Sequence, residues 1–186
     1  MSSSGTVPAL LDGRVELRRP TVEDADTLLA GSRDPLVREF MQGVLAHPDR
    51  ESAVRWITEV APALWAADRA AYFAVLDGPG PAVGWAELTD LRPEEGAAEV
   101  AVWLLPAARS LRVASCALRL VCRFGFEQLE LERIDAYAAA DNMPVQVVGA
   151  FIGFRRAGFR PQLFRSSSTQ TLHDAVYATV VPGELC

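Results

Sequence analysis

Apolar positions follow two rhythms along this chain, and the rhythm changes near Ala71. Ahead of that point they recur mainly at helical spacing. "RVELRRPTVEDADTLLAG" predicts a strand at Val15 to Arg18 and then a helix capped by Thr21, with Asp24 three positions later to meet the unpaired N–H groups of a helix start. Asp34-Pro35 opens a short second helix. His47-Pro48 or Asp49 opens a longer one, in which Val54, Ile57, Ala61 and Leu64 form one apolar stripe. From Ala71 the period is two. "AYFAVLD", a turn at "GPGP", "AVGWAELTDL", a loop at "RPEEG" and "AAEVAVWLL" predict an antiparallel meander over residues 71–105. A helix over about 107–128 follows, with Val113, Ala117, Leu120, Val121 and Phe124 on one face. The chain then reads as a strand at "RIDAYAA", a helix over about 143–152 ended by Gly153, and strands near 159–164 and 175–181.

This order describes an α/β (α+β) fold with a mixed, mostly antiparallel twisted sheet flanked by helices. With 186 residues, half of them hydrophobic, there is material for one substantial core but not for two. No internal repeat or linker divides the chain. Residues 1–12, rich in Ser and Gly, are expected to form a flexible tail ahead of a single domain over 13–186.

Composition narrows the chemistry. All 18 basic residues are arginines, which excludes lysine nucleophiles and Schiff bases. A net charge of -6 gives no overall pull towards nucleic acid. No apolar run reaches the roughly 18 residues needed to span a bilayer, and "MSSSGTVPAL" lacks the regions of a secretory signal. A soluble, cytoplasmic protein is expected. The three cysteines, Cys116, Cys122 and Cys186, have no metal-type spacing and read as thiols, so no metal site is expected.

Several pieces in order resemble the GNAT superfamily of acyl-CoA-dependent N-acyltransferases, nearest the branch that acetylates N-terminal amines of ribosomal proteins. They are "VELRRPTVEDADTL", "AEVAVWLLPAAR", "FGFEQLELERIDAYAAADNMP", "FIGFRRAGFR" and "HDAVYATVVP", together spanning about residues 13–183. The resemblance implies a sheet whose central strands splay near Trp103 to Pro106, with acetyl-CoA or another acyl-CoA as cofactor. It also implies an amine acceptor on a small molecule or peptide. A homodimer is left open.

In that family the cofactor pyrophosphate rests on backbone N–H groups at a helix N-terminus, where free donors and the helix dipole favour anions. The family pattern of Arg or Gln, two residues, Gly, one residue, Gly or Ala reads here Arg109, Ser110, Leu111, Arg112, Val113, Ala114. The resemblance places the pyrophosphate on the amides of Arg112 to Ala114 and the pantetheine arm beside the backbone of Leu104. Glycine lets a phosphate approach the backbone. Arg112 in its place either supplies a charge-assisted phosphate contact or closes the site. Asn142 keeps the branch's Asn, but Val145 stands where a Ser able to protonate the leaving thiolate is usual, which turns attention to water, Tyr137 or Tyr177.

Glu99 occupies the position of the family's base, and its apolar surroundings would raise its pKa into a useful range. If the meander strands pair symmetrically about Pro93, Glu87 lies opposite Glu99 and the two share a proton or a bound amine. His173 and Asp174 alternate along a strand and so face opposite sides, making a rim histidine the expectation. Trp56, Trp65, Trp85 and Trp103 are read as core or as acceptor-pocket walls. An N-acyltransferase is the first function; a CoA-independent enzyme on the same fold, or a non-catalytic binding protein, are the alternatives.

Overall fold

The change of rhythm at Ala71 is the entry into the central sheet. In the computed structural model, which describes residues 9–41 and 46–186, the strands are β1 (Leu10–Asp12), β2 (Val15–Arg18), β3 (Ala71–Asp77), β4 (Gly84–Arg92), β5 (Ala97–Leu104), β6 (Arg133–Ala139), β7 (Arg155–Arg165) and β8 (Leu172–Val180). The helices are α1 (Ala25–Arg33), α2 (Pro35–Phe40), α3 (Arg50–Arg55), α4 (Ala61–Ala66), α5 (Leu111–Gln128) and α6 (Met143–Phe151). The eight strands form one sheet in the order β1-β2-β3-β4-β5-β6-β8-β7. Every pairing is antiparallel except β5 with β6.

Alternation along the strands divides the core in two. Phe73, Val75, Ala86, Leu88 and Val100 face α5 and bury its stripe of Val113, Ala117, Leu120, Val121 and Phe124. Their neighbours Ala74, Leu76, Trp85 and Trp103 face the other way, onto Ala25 and Leu28 of α1 and Ala53 of α3. The Trp85 and Trp103 rings stack with centroids 6.2 Å apart, and Trp65 packs against Phe73 and Phe124, so core packing claims these aromatics. Helix α1 crosses so near Trp103 that a Cβ at Gly31 would lie 2.2 Å from the indole, and only glycine fits.

The long helix expected after Asp49 is present but passes through a π turn at Trp56–Val60, where the Ala61 N–H bonds to the Trp56 carbonyl. Pro62, which has no N–H for the carbonyl four residues back, explains the wider turn.

Four expectations need correction. Order begins before Gly13, because Leu10–Asp12 pairs with β2 and Asp12 receives Arg119 at 2.6 Å; residues 1–8 of the expected tail lie outside the described residues. Strands β7 and β8 start earlier than the alternation suggested. Helix α5 starts at Leu111 rather than near residue 107, because Ser110 is extended and its hydroxyl accepts the Val113 N–H at 3.2 Å. The meander turn is not symmetric about Pro93. Pro93 opens a 3-10 turn, Gly96 at φ +59 closes it, and Arg92 pairs with Ala97.

Candidate active site

Strands β5 and β6 pair only from Ala97 to Glu99 against Arg133 to Asp135. Beyond that point β4 holds β5 as far as Leu104, and β8 holds β6 as far as Ala139, so the sheet's two halves part. The splay therefore begins just after Glu99, not near Trp103 as expected. It opens a cleft of about 990 Å3, walled by Val100 and Val102 of β5, Ala136 and Ala138 of β6, and residues of α2, α5 and α6. The walls are mainly apolar.

The start of α5 forms one end of the cleft. Here Ser110, Leu111 and Ala114 line the wall, as does Arg109. The Val113 amide is taken by Ser110 Oγ and the Ala114 amide by the Ser110 carbonyl at 3.0 Å, so neither is free for a pyrophosphate. The first-turn donors left over are those of Leu111 and Arg112. The Arg112 side chain does not occupy the cleft; it lies across the surface onto Asp77 at 2.8 Å. Arg109 is committed as well. Its Nε donates to the Leu104 carbonyl at 3.0 Å, and its Nη2 bonds Asp34, whose carboxylate caps α2 through the Leu36 and Val37 amides at 3.0 Å. Arg109 thus ties the loop to α2 and covers the Leu104 carbonyl expected to meet a pantetheine arm. Since Leu105 donates to Val83 of the opposite neighbour, alternation turns the backbone of Val102 towards the gap.

Glu99 sits where the splay begins. It lines a smaller cavity of about 260 Å3 with Tyr137, Arg160, Leu163 and Phe164, and Tyr137 lines the large cleft too. Burial pushes the Glu99 carboxyl up, as do the charges of Asp90 and Asp135, against the opposing pull of Arg92. Glu87 is not opposite Glu99, because the bulge between Thr89 and Arg92 sets Glu87 against Ala101 and Glu99 against Thr89. The two carboxyls stay on one face, offset diagonally. Burial, with a smaller push from Glu99, raises Glu87 to about 7. Neither carboxyl accepts a hydrogen bond from a described residue. Both therefore hold a proton more readily than an ordinary carboxyl.

Beside them, Asp135 is buried and fully engaged, by Arg92 at 2.7 Å, Arg133 at 2.8 Å and the Tyr177 hydroxyl at 3.0 Å. Tyr177 is thereby spoken for. Tyr137 stacks on it with centroids 4.9 Å apart and lines both the small cavity and the large cleft. Asn142 and Val145 line the cleft at the start of α6, and the Asn142 N–H bonds to the Ala139 carbonyl at 2.9 Å.

His173 is a rim residue, as expected, but its partners were not legible. It bonds Glu39 of α2 at 2.8 Å and Asp141 at 2.9 Å, while Asp174 instead receives the Gln162 N–H. The "RSSSTQ" turn, silent in the sequence, places Ser166 and Ser168 hydroxyls on Glu39 at 2.5 and 2.8 Å. Alternation cannot reveal such a cluster, because α2 and β8 are more than 130 residues apart in the chain.

A family model described as an acetyltransferase (GNAT) domain matches residues 14–155. The chain belongs to the GNAT acetyltransferase family. Among curated proteins none is similar enough in sequence to match. Among solved structures, the GNAT fold is shared with RimL, a ribosomal L7/L12 alpha-N-protein acetyltransferase in complex with coenzyme A. That structure is 14% identical with a TM-score of 0.83, and the match covers 94% of this chain and 98% of that one. Mycobacterium smegmatis RimJ in complex with CoA-disulfide is 22% identical with a TM-score of 0.78, over 96% and 88% of the two chains. The microcin C7 self-immunity acetyltransferase MccE, in complex with acetyl-CoA and AMP, is 13% identical with a TM-score of 0.80, over 95% and 98%. Among the described residues of this GNAT chain, no helix is long and apolar enough to cross a membrane, and no cluster of His, Cys, Asp and Glu could hold a metal ion.

For a GNAT cleft the sequence reading missed two contributors. Helix α2 supplies Leu36, Val37 and Phe40 to the wall, and β7 supplies Arg160, Leu163 and Phe164 to the cavity beside Glu99. The Pro161 that interrupts "FRPQLF" is the one signal that could have flagged β7, since proline in a strand marks a bulge or an edge.

Proposed function

We propose that this protein is an N-acyltransferase that moves an acetyl or other acyl group from acyl-CoA to an amine. The observation that carries the reading is the splay: it opens an apolar cleft ending at the start of α5, with Glu99 at the point where the strands part. The residues present fit an acyl-CoA. The amides of Leu111 and Arg112 at the positive end of an 18-residue helix suit a phosphate, the Arg112 side chain is turned aside, and the apolar walls suit the pantetheine arm. When bound, acyl-CoA supplies an activated thioester.

Glu99, directly or through a water, takes the proton from the acceptor ammonium and leaves a nucleophilic nitrogen. Its raised pKa keeps the captured proton from being lost at once, and Glu87 behind it offers a second site for that proton. The Tyr137 hydroxyl would supply the proton that a departing thiolate needs, and the second proton shed by the acylated nitrogen would replace it. Tyr137 would fill the role that Val145 cannot, because it lines both the cleft and the cavity of Glu99, whereas the Tyr177 hydroxyl is bound to Asp135. The remaining contribution is alignment in a water-poor cleft.

Calorimetric titration with acetyl-CoA and then free CoA, followed by thiol-release assays on amines, tests this reading. Binding with amine-dependent thiol release is expected; no binding at millimolar acetyl-CoA would overturn it. The CoA-independent alternative draws on one observation, the Arg109 guanidinium on the Leu104 carbonyl, which narrows the backbone edge open to a pantetheine arm.

A further inference from the structure

The cavity beside Glu99 has a composition that the acyl-transfer reading does not require. A regular strand would turn Arg160 and Leu163 to opposite faces. Between Arg160 and Phe164, however, β7 takes four steps while β8 takes two, from Ala175 to His173. Pro161 cannot donate to the ladder, and Gln162 turns through φ +51 with its N–H held by Asp174 at 2.9 Å. The bulge brings Arg160, Leu163 and Phe164 into one wall of the cavity that holds Glu99 and Tyr137.

Arg160 is one of the arginines without a carboxylate partner among the described residues, and of these it is the one that lines the cavity of Glu99. Arg92, Arg109, Arg112 and Arg133 of the site's surroundings each pair with a carboxylate, whereas among the described residues Arg160 donates a hydrogen bond to the carbonyl of its neighbour Phe159 at 3.3 Å and pairs with no carboxylate. It shares the cavity with Glu99, yet no ion pair forms between them. A cation and an anion lining one small cavity without touching make complementary ends for a zwitterion.

We propose that the acceptor is an amine carrying a carboxylate a few bonds from the nitrogen, with Glu99 receiving the ammonium and Arg160 the carboxylate. Leu163, Phe164 and the Tyr137 ring would enclose the carbon skeleton between the two charges. This rests on the acyl-transfer reading and deepens it, because the overall charge of -6 favours a simple cationic amine and only the local pairing selects an anion. A free amino acid and a peptide with an acidic first residue offer the same chemistry. The cavity volume of about 260 Å3 suits either a whole amino acid or one such residue.

The experiment compares kcat/KM for acetyl transfer to L-phenylalanine, L-phenylalaninamide and phenethylamine, and to peptides beginning Asp-Ala and Asn-Ala. The wild type is expected to prefer phenylalanine over its amide by about tenfold, the worth of one partly exposed charge-assisted contact. A matching preference for Asp over Asn peptides, without one for phenylalanine, would assign the source as a peptide. Arg160→Met should bring the preferred ratio towards one through KM, and Arg160→Lys should keep part of it. Equal use of carboxylate and amide by the wild type, or an undiminished ratio in Arg160→Met, overturns the proposal. If no amine is acylated at all, the acyl-transfer reading fails separately. Calorimetric titration with the same amino acid and amide then decides the anion site: binding of the carboxylate that Arg160→Met abolishes supports it, and its absence overturns it.

Discussion

Arg112 sets its Nη2 2.9 Å from Oδ1 and 2.8 Å from Oδ2 of Asp77, at the end of β3 and outside the cleft. The side chain that stands where the family pattern has glycine is therefore parked on the surface, neither reaching into the α5 end of the cleft nor filling it. Arg112→Ala is accordingly expected to change affinity for CoA by less than about threefold, the scale of an exposed ion pair. Calorimetry on the two proteins checks this. A tenfold fall would reinstate Arg112 as a phosphate ligand, and a tenfold rise would show it to be an obstruction.

Glu99→Gln should lower kcat by roughly 100-fold or more while leaving KM for acetyl-CoA and the melting temperature near those of the parent, as expected when a general base is lost from an intact site. In the parent, kcat/KM should rise with pH through a midpoint above the ordinary carboxyl value of 4.5, because the base works only when deprotonated and its pKa is raised. Unaltered turnover in the glutamine variant would remove Glu99 from the mechanism.

Glu87 gives a stability signature of opposite character. Its folded pKa is raised from 4.5 to about 7, so the folded state holds the proton more tightly than the unfolded chain. The resulting stability is full below about 4.5 and is lost as pH rises to about 7. Glu87→Gln, which cannot ionise, should therefore gain on the parent across that window, by about 1–3 kcal/mol at pH 8 relative to pH 4. Denaturant unfolding of both proteins at the two pH values measures the difference; a constant gap would show that Glu87 is not held protonated.

How far the sequence reached depended on the range of the contacts involved. The meander was legible because Phe73, Val75, Ala86 and Leu88 alternate locally with the residues that face α1. The register of Glu87 against Glu99 was not, since it depends on a bulge and on where a four-residue turn closes, and one residue of displacement changes every partner. Glu99 itself was legible as a lone carboxylate in an apolar strand. Arg109 was legible as part of a pattern but not in its role, because its partner Asp34 lies 75 positions earlier and caps another helix. Arg160 reaches the site only through the β7 bulge, whose sole local mark is Pro161.

The last prediction concerns the rim of the cleft. His173 joins Glu39 of α2 to Asp141 ahead of α6, and the Phe40 ring, which lines the cleft, packs against its imidazole with centroids 5.6 Å apart. Every titratable group facing the histidine there is a carboxyl. Burial works against the imidazolium, but hydrogen bonds to Glu39 and Asp141 outweigh it and raise the pKa above 6.5. Hydrogen bonds from Ser166, Ser168 and His173 lower Glu39 to about 2. The histidine's contribution is full below 6.5 and lost as pH rises through its raised value; that of Glu39 is full above 4.5 and lost as pH falls towards 2. The clamp on α2 should thus be tightest between about 4.5 and 6.5. Amide exchange at Arg38 and Met41, corrected for the intrinsic pH dependence, should show protection highest in that window and declining above it. In His173→Gln the decline on the alkaline side should vanish, and protection should be lower throughout. If the parent and the glutamine variant exchange alike at pH 6, the His173 clamp does not hold α2 over the cleft.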